Sequence, residues 1–245
     1  MTDWRRRTGP IGVLTGAGIS TDSGIPDFRG PRGVWKSDPI AELLSTYQNY
    51  VADPELRVRS WRARRDNPAW AARPNSAHDA LVRLAGAGRE VGIITQNIDR
   101  LHQRAGSESV VEIHGNMFDV VCVDCEFTAT MRATLDRVAA GEPDPPCPDC
   151  GGILKADIIM FGQQLDPEAI RAAIEIAEGS AIFLAIGTSL QVEPAASVCA
   201  LAVDAGADLI IVNAEPTPYD AYAAELVREP IGAALPRLVE ELLAA

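Results

Sequence analysis

Two cysteine pairs, Cys122-x-x-Cys125 and Cys147-x-x-Cys150, bracket an insertion too short to build a core of its own. Four thiolates at that spacing can surround one ion tetrahedrally, with Zn²⁺ the expected occupant, and they leave no position open for water. The site they predict is structural and not catalytic. A redox dithiol pair and a nucleic-acid zinc ribbon are the alternatives. The fifth cysteine, Cys199, falls in a helical stretch and reads as a buried apolar residue.

A second signal is the apolar run Ile11-Gly12-Val13-Leu14-Thr15 breaking into Gly16-Ala17-Gly18. This pattern predicts a strand feeding a tight turn, where absent Cβ atoms let backbone N–H groups approach a ligand phosphate. A turn that merely packs strand on helix is the other reading. Thr21 stands where a dehydrogenase fingerprint would carry its third glycine. The continuation Gly24-Ile25-Pro26-Asp27-Phe28-Arg29 suits a loop that closes over a ligand, since proline removes a donor and disfavours helix before it.

A general base would be a carboxylate or one of three histidines. His78 and His102 fall in helical patterns and read as packing or surface residues. His114 ends an apolar run and precedes Gly115, which puts it on a rim with other polar clusters. A satisfied structural histidine remains the alternative there.

The elements that must position these groups follow from periodicity. Strands are expected at 11–15, 91–95, 110–113, 181–186 and 208–212, each a short and mainly apolar run. Helices are expected around 40–50, over 54–65, from a capping box at Ser76 and Asp79, from Asp166-Pro167 to about 177, over about 194–205 and over 235–243. Polar clusters follow the strands at once: Gln96-Asn97-Ile98-Asp99, Gly187-Thr188-Ser189 and Asn213-Ala214-Glu215. Open α/β sheets place ligands at such strand ends. The fold class expected is α/β, a doubly wound, mostly parallel, Rossmann-like sheet, with a smaller domain made of a helical module and a four-cysteine zinc module. The large domain takes residues 1–34, 75–118 and 157–245, the helical module 35–74 and the zinc module 119–156.

At 245 residues, 47% hydrophobic and 23% charged, the chain is ordinary for a globular protein with one large domain and insertions. A net charge of −12 and a pI near 4.7 oppose nonspecific binding to nucleic acid or anionic membranes and suit a basic protein partner. No apolar run approaches a membrane span, and the expected compartment is the cytoplasm.

The string Gly16 to Arg29, Thr95-Gln96-Asn97-Ile98-Asp99, Ile113-His114-Gly115, the cysteine pairs, Gly187-Thr188-Ser189 and Asn213-Ala214-Glu215 occur in the order seen in the sirtuins, NAD-dependent protein-lysine deacylases, which the chain resembles over nearly its whole length. The resemblance implies an NAD pocket lined by Gly16, Ala17, Gly18, Ile25, Asp27, Phe28, Arg29 and Trp35. Gln96, Asn97, Ile98 and Asp99 would surround the nicotinamide, with Asn97 and Asp99 taking part in catalysis. Gly187, Thr188 and Ser189 would meet the phosphates or ribose, and Asn213, Ala214, Glu215 and Ile231 the adenosine side. His114 becomes the general base. The implied reaction starts with attack of an acyl oxygen on the ribose carbon that bears nicotinamide. His114 then draws a proton from the ribose hydroxyls, and nicotinamide, O-acetyl-ADP-ribose and free lysine are released.

Substrate would lie against Phe161, Gly162 and Gln163, where the family carries Phe-Gly-Glu, as an added strand, and Ala156 replaces the family's usual proline. Trp61-x-x-Arg64 stands where members that prefer acidic acyl groups carry Tyr-x-x-Arg, so deacetylation should dominate over a weak desuccinylation. The expected partners are acetylated protein lysines, with neither nucleic acid nor membrane; the oligomeric state is open, a monomer being favoured. The alternatives are an NAD oxidoreductase, an NAD or ADP-ribose sensor without turnover, and a mono-ADP-ribosyltransferase.

Overall fold

The computed structural model describes residues 3–30, 33 and 43–245. Among them the strands are β1 (Ile11–Thr15), β2 (Val91–Thr95), β3 (Val110–Glu112), β4 (Gly115–Cys122), β5 (Thr128–Thr130), β6 (Leu154–Ile158), β7 (Ile182–Ile186), β8 (Asp208–Val212) and β9 (Glu225–Val227). The helices are α1 (Tyr47–Ala52), α2 (Pro54–Arg65), α3 (Ser76–Gly86), α4 (Leu101–Ala105), α5 (Met131–Ala139), α6 (Pro167–Gly179), α7 (Val198–Asp204) and α8 (Ile231–Ala244).

The apolar runs build one parallel sheet in the order β3-β2-β1-β7-β8-β9, with Ile11 in register with Val91 on one side and Ile182 on the other. Its central strands β1 and β7 are wholly buried because both faces are covered. On β7, Ile182, Leu184 and Ile186 join Val13, Leu81, Leu84, Leu235 and Leu238 under α3 and α8. Phe183 and Ala185 join Leu14, Ile94, Ala173 and Cys199 under α6 and α7. Each large side chain buried in this way contributes about 1.5–3 kcal/mol. The strand order reverses between β1 and β7, which opens a crevice at their carboxyl ends.

A smaller antiparallel sheet, β5-β4-β6, carries the cysteine pairs. Its core joins Val120, Met131, Leu154 and Ala156 to Cys122, Cys147 and Trp61 of α2, so the helical and cysteine modules share one core. Tyr50 Oη donates to Leu154 O at 2.7 Å and Arg57 Nε to Asp144 at 2.8 Å across the same junction.

Several local expectations change. The cap of α3 is Asn75, not Ser76: Asn75 Oδ1 accepts from Ala77 N, and the His78 ring closes the box in place of a carboxylate. Ser76, freed from capping, donates to Gly232 O at 2.9 Å. That contact supplies Gly232 O, within α8 from Ile231, with the donor that Pro236, four residues on and lacking an N–H, does not provide. The helix expected over 194–205 opens as a 3₁₀ turn, Ala195–Ser197, before α7. The helix expected around 40–50 is described only from residue 43 and reaches α1.

Candidate active site

One cleft of about 1490 Å³ runs along the carboxyl ends of β1, β2, β7 and β8. It gathers the glycine string, the 96–99 cluster, His114, the 187–189 cluster and the 213–215 cluster, together with Ile231, Arg64 and Phe161-Gly162-Gln163. Ile25, Asp27, Phe28 and Arg29 form one wall, where Asp27 Oδ1 accepts from Gly30 N at 3.0 Å and holds the turn.

The glycines serve a purpose the sequence reading missed. Gly16 N donates to Ile186 O at 3.1 Å and Gly18 N to Gly187 O at 2.9 Å, so both N–H groups are committed inside the protein and neither is free for a phosphate. A Cβ on Gly18 would meet Gly187 Cα at 2.7 Å, and one on Gly187, whose φ is 61°, would meet Ile19 N at 2.5 Å. The strand-end loops of β1 and β7 therefore touch backbone to backbone, which only glycine permits.

Beneath the cleft lies a buried polar floor. Ser20 Oγ donates to Asp99 Oδ2 at 2.7 Å, and Asp99 Oδ1 receives Leu101 N, the first residue of α4, at 2.9 Å. Asn97 Nδ2 donates to Gly16 O at 3.1 Å and lies 3.2 Å from Ser20 Oγ. Gln96 Nε2 reaches Thr188 Oγ1 at 2.9 Å. Asn97 and Asp99 are almost wholly buried yet satisfied, which fixes their geometry in advance of any ligand. Ser20 was not foreseen. Its signal was a hydroxyl at the fifth place of the string, with nothing local to show that it points inward.

His114 sits half-buried at the entrance to β4. Its Nδ1 lies 3.1 Å from Gln96 O, and a carbonyl only accepts, so Nδ1 carries the proton and Nε2 is the basic nitrogen. Burial lowers the ring's pKa, partly offset by that hydrogen bond, so the neutral form persists below pH 6.5. At the far end Arg228, also unforeseen, donates to Asn213 O at 2.7 Å and Glu215 O at 2.9 Å and pairs with Asp220, holding the loop after β8.

Three substrate and cofactor expectations need correction or restriction. Trp61 does not line the cleft: it is fully buried in the core shared with the cysteine module, because a large apolar ring on the inner side of α2 finds more surface there. Arg64, one turn on, does line it. Phe161 already spends its N–H on Ser45 O at 2.8 Å, and its carbonyl accepts Tyr47 N at 3.0 Å, so any added strand would find only the carbonyl's second lone pair at this residue. Trp35 lies outside the described residues.

The four cysteine sulfurs all lie within 4.8 Å of one another, with Cys122–Cys150 and Cys125–Cys147 at 3.6 Å. A tetrahedron of zinc–sulfur bonds has edges of about 3.8 Å, so the cluster fits a structural Zn²⁺. Among the described residues no helix is long and apolar enough to cross a membrane.

A model of the family described as Sir2 matches residues 16–194. The NAD-dependent protein deacetylase 2 of Streptomyces coelicolor is 53% identical over 234 residues, covering 95% of this chain and 97% of its own. The NAD-dependent protein deacylase 2 of Pyrobaculum aerophilum is 42% identical over 94% of this chain and 90% of its own. A solved Sir2–p53 peptide–NAD⁺ complex superposes with a TM-score of 0.86 at 35% identity, covering 99% of this chain and 97% of its own. A Sir2 complex with deacetylated p53 peptide and 3′-O-acetyl ADP ribose does so with 0.89 at 37% identity, covering 98% and 96%.

Proposed function

The chain belongs to the Sir2 family, and from that premise we propose that it removes acetyl groups from protein lysine side chains with consumption of NAD, releasing nicotinamide and O-acetyl-ADP-ribose. The observation that carries the reading is the meeting of His114 with the polar floor of Asn97, Asp99 and Ser20 in one cleft at the β1–β7 switch point.

NAD supplies an electrophilic ribose carbon with nicotinamide as its leaving group. The chain's part is to hold and exclude. Asn97, Ile98 and Asp99 flank the nicotinamide end, and the loops after β7 and β8 hold the phosphates, ribose and adenosine, supported by the rigid contacts among Gly18, Gly187, Asn213 and Arg228. Ile25 to Arg29 cover the cofactor, supported by their place on one wall. His114 Nε2 draws a proton from a ribose hydroxyl, and its Nδ1 bond to Gln96 O keeps the ring in the tautomer that accepts there.

Arg64, on the substrate side, can pair with an acidic acyl group. With Trp61 withdrawn into the core, no second polar group joins it from that position, so acetyl removal outruns succinyl removal. The reading extends to a cytoplasmic, monomeric enzyme whose acidic body, at net charge −12, meets basic acyl-lysine segments in preference to nucleic acid.

Mass spectrometry of an acetyl-lysine peptide incubated with and without NAD tests this. Acetyl loss that requires NAD and yields both products is expected. NAD binding with no turnover on any acyl peptide would contradict it and leave a sensor, and ADP-ribose left on protein would indicate transfer.

A further inference from the structure

Arg100 follows Asp99 directly and takes no part in the chemistry proposed for the cleft. Among the described residues, Arg100 and Leu190 are the non-glycines with a left-handed backbone, both at φ 53°. A residue with a Cβ adopts that conformation at a cost, so its surroundings must hold it there.

Arg100, at φ 53° and ψ 24°, stands immediately before α4 and reverses the chain. The reversal brings Leu101 N to 2.9 Å from Asp99 Oδ1, while Asp99 Oδ2 receives Ser20 Oγ at 2.7 Å. Both oxygens of the carboxylate are thereby fixed. A right-handed Arg100 would carry Leu101 N away from Asp99 and leave the carboxylate free to turn.

The side chain supplies the hold. Arg100 Nη2 donates to Asp119 Oδ2 at 2.7 Å, its Nε lies 3.5 Å from Glu112 Oε1, and its guanidinium carbon lies 5.3 Å from the centre of the Phe118 ring. Phe118 is braced in turn by Trp70, edge-on at 5.4 Å. Glu112 Oε1 is buried with no hydrogen-bond partner, and burial raises the pKa of its carboxyl against the opposing charge of Arg100. Glu112 ends β3, while Phe118 and Asp119 belong to β4, which begins next to His114. On the other side of Asp99, Met117 N of β4 donates to Ile98 O at 3.0 Å. The Asp99 turn is therefore tied to the histidine's strand twice, by backbone at Ile98 and by charge at Arg100.

We propose that Arg100 is a positioning residue whose guanidinium, clamped by Glu112, Asp119 and Phe118, holds the left-handed turn that keeps the Asp99 carboxylate at a fixed place in the cleft relative to His114. The planar fork suits this task, since it meets two carboxylates and lies over a ring at once. The kinetic consequence rests on the deacetylase reading, and the backbone consequence does not.

Hydrogen exchange at the Leu101 amide reads the hold on the full chain without substrate. The parent should protect that amide, and Arg100→Ala should speed its exchange about tenfold. Arg100→Gly, which takes φ 53° without strain, should bring protection back to within about threefold. Equal exchange in the parent and the alanine variant overturns the proposal whether or not the protein turns NAD over. At a temperature where all variants are folded, Arg100→Ala should lose about 10–100-fold in kcat with peptide KM within about twofold, and Arg100→Gly should recover most of the loss. A merely structural role would separate these variants in Tm and leave kcat alone, so equal kcat in the alanine and glycine variants is the contrary result. A parent without turnover would sink the deacetylase reading and leave the exchange result to decide the clamp. Should Arg100→Ala not fold, Asp119→Asn removes one charge from the half-exposed end of the clamp and should speed Leu101 exchange about threefold; an unchanged rate there overturns the proposal.

Discussion

At the carboxyl ends of β1 and β2, polar side chains are buried because neighbours on a well-packed sheet satisfy them: Ser20 bonds to both Asn97 and Asp99 over cores of leucine, isoleucine and valine. In the cysteine module, four sulfurs converge within 4.8 Å from loops and short strands with far less apolar cover. The first region is held by its own folding energy and can be rigid before any ligand arrives. The second brings together groups that want a metal, and its order depends on binding one. The difference teaches which parts of the cleft answer to which force: the end at Asn97 and Asp99 to the sheet, the end at Arg64, through Trp61 and Tyr50, to the four-cysteine module.

Stripping the metal should break this division most visibly. Structural zinc contributes about 10–16 kcal/mol in isolated zinc peptides, so a chelator, or Cys147→Ser, should melt the small sheet. Hydrogen exchange should then show protection lost over 115–158 and kept over 182–186. Simultaneous loss in β7 would show that the two regions are one unit. Gly187→Ala should act on the other region. With φ at 61° and Ile19 N 2.5 Å from the new Cβ, it should cost about 2–4 kcal/mol, read by urea unfolding, and weaken NAD binding in calorimetry. An unchanged midpoint would mean that the loops are not locked.

Acid sharpens the comparison. His102 is held neutral, its folded pKa of about 3 lying below the ordinary 6.5, so the unfolded chain binds the extra proton. Stability is complete above pH 6.5 and should fall by about 1.4 kcal/mol per pH unit for this ring as pH drops toward 3. Urea midpoints at successive pH values check it, and His102→Gln should flatten the slope; a slope that stays the same in that variant would place the sensitivity elsewhere. The smallest effect belongs to the junction: Asp144→Asn weakens one charge-assisted bond to Arg57 and should cost about 1 kcal/mol with turnover intact.

Much of this was legible in the sequence because it depends on local pattern. Short, mainly apolar runs gave β1, β2, β7 and β8, and two Cys-x-x-Cys pairs gave the sulfur cluster. What escaped depends on partners far along the chain. Nothing near Ser76 shows that Gly232 O lacks a donor, and nothing near Trp61 shows that Val120 and Leu154 await it. Strands β4 and β6 break their apolar residues with Asn116, Asp119, Lys155 and Asp157, and β5 has three residues, so no long uninterrupted apolar run marks their pairing. In the glycine loop the N–H groups of Gly16 and Gly18 are taken by Ile186 O and Gly187 O, which the sequence did not show, because spacing reveals which residue lacks a Cβ and not which atom needs the space.

The central claim is that His114 supplies the base while the sheet-built side of the cleft holds NAD without it. Calorimetric NAD affinity and deacetylation rate, measured together on His114→Ala, test this most directly. Affinity within about threefold of the parent and turnover lower by about 10²–10⁴-fold are the predicted result. Near-parental turnover would contradict it.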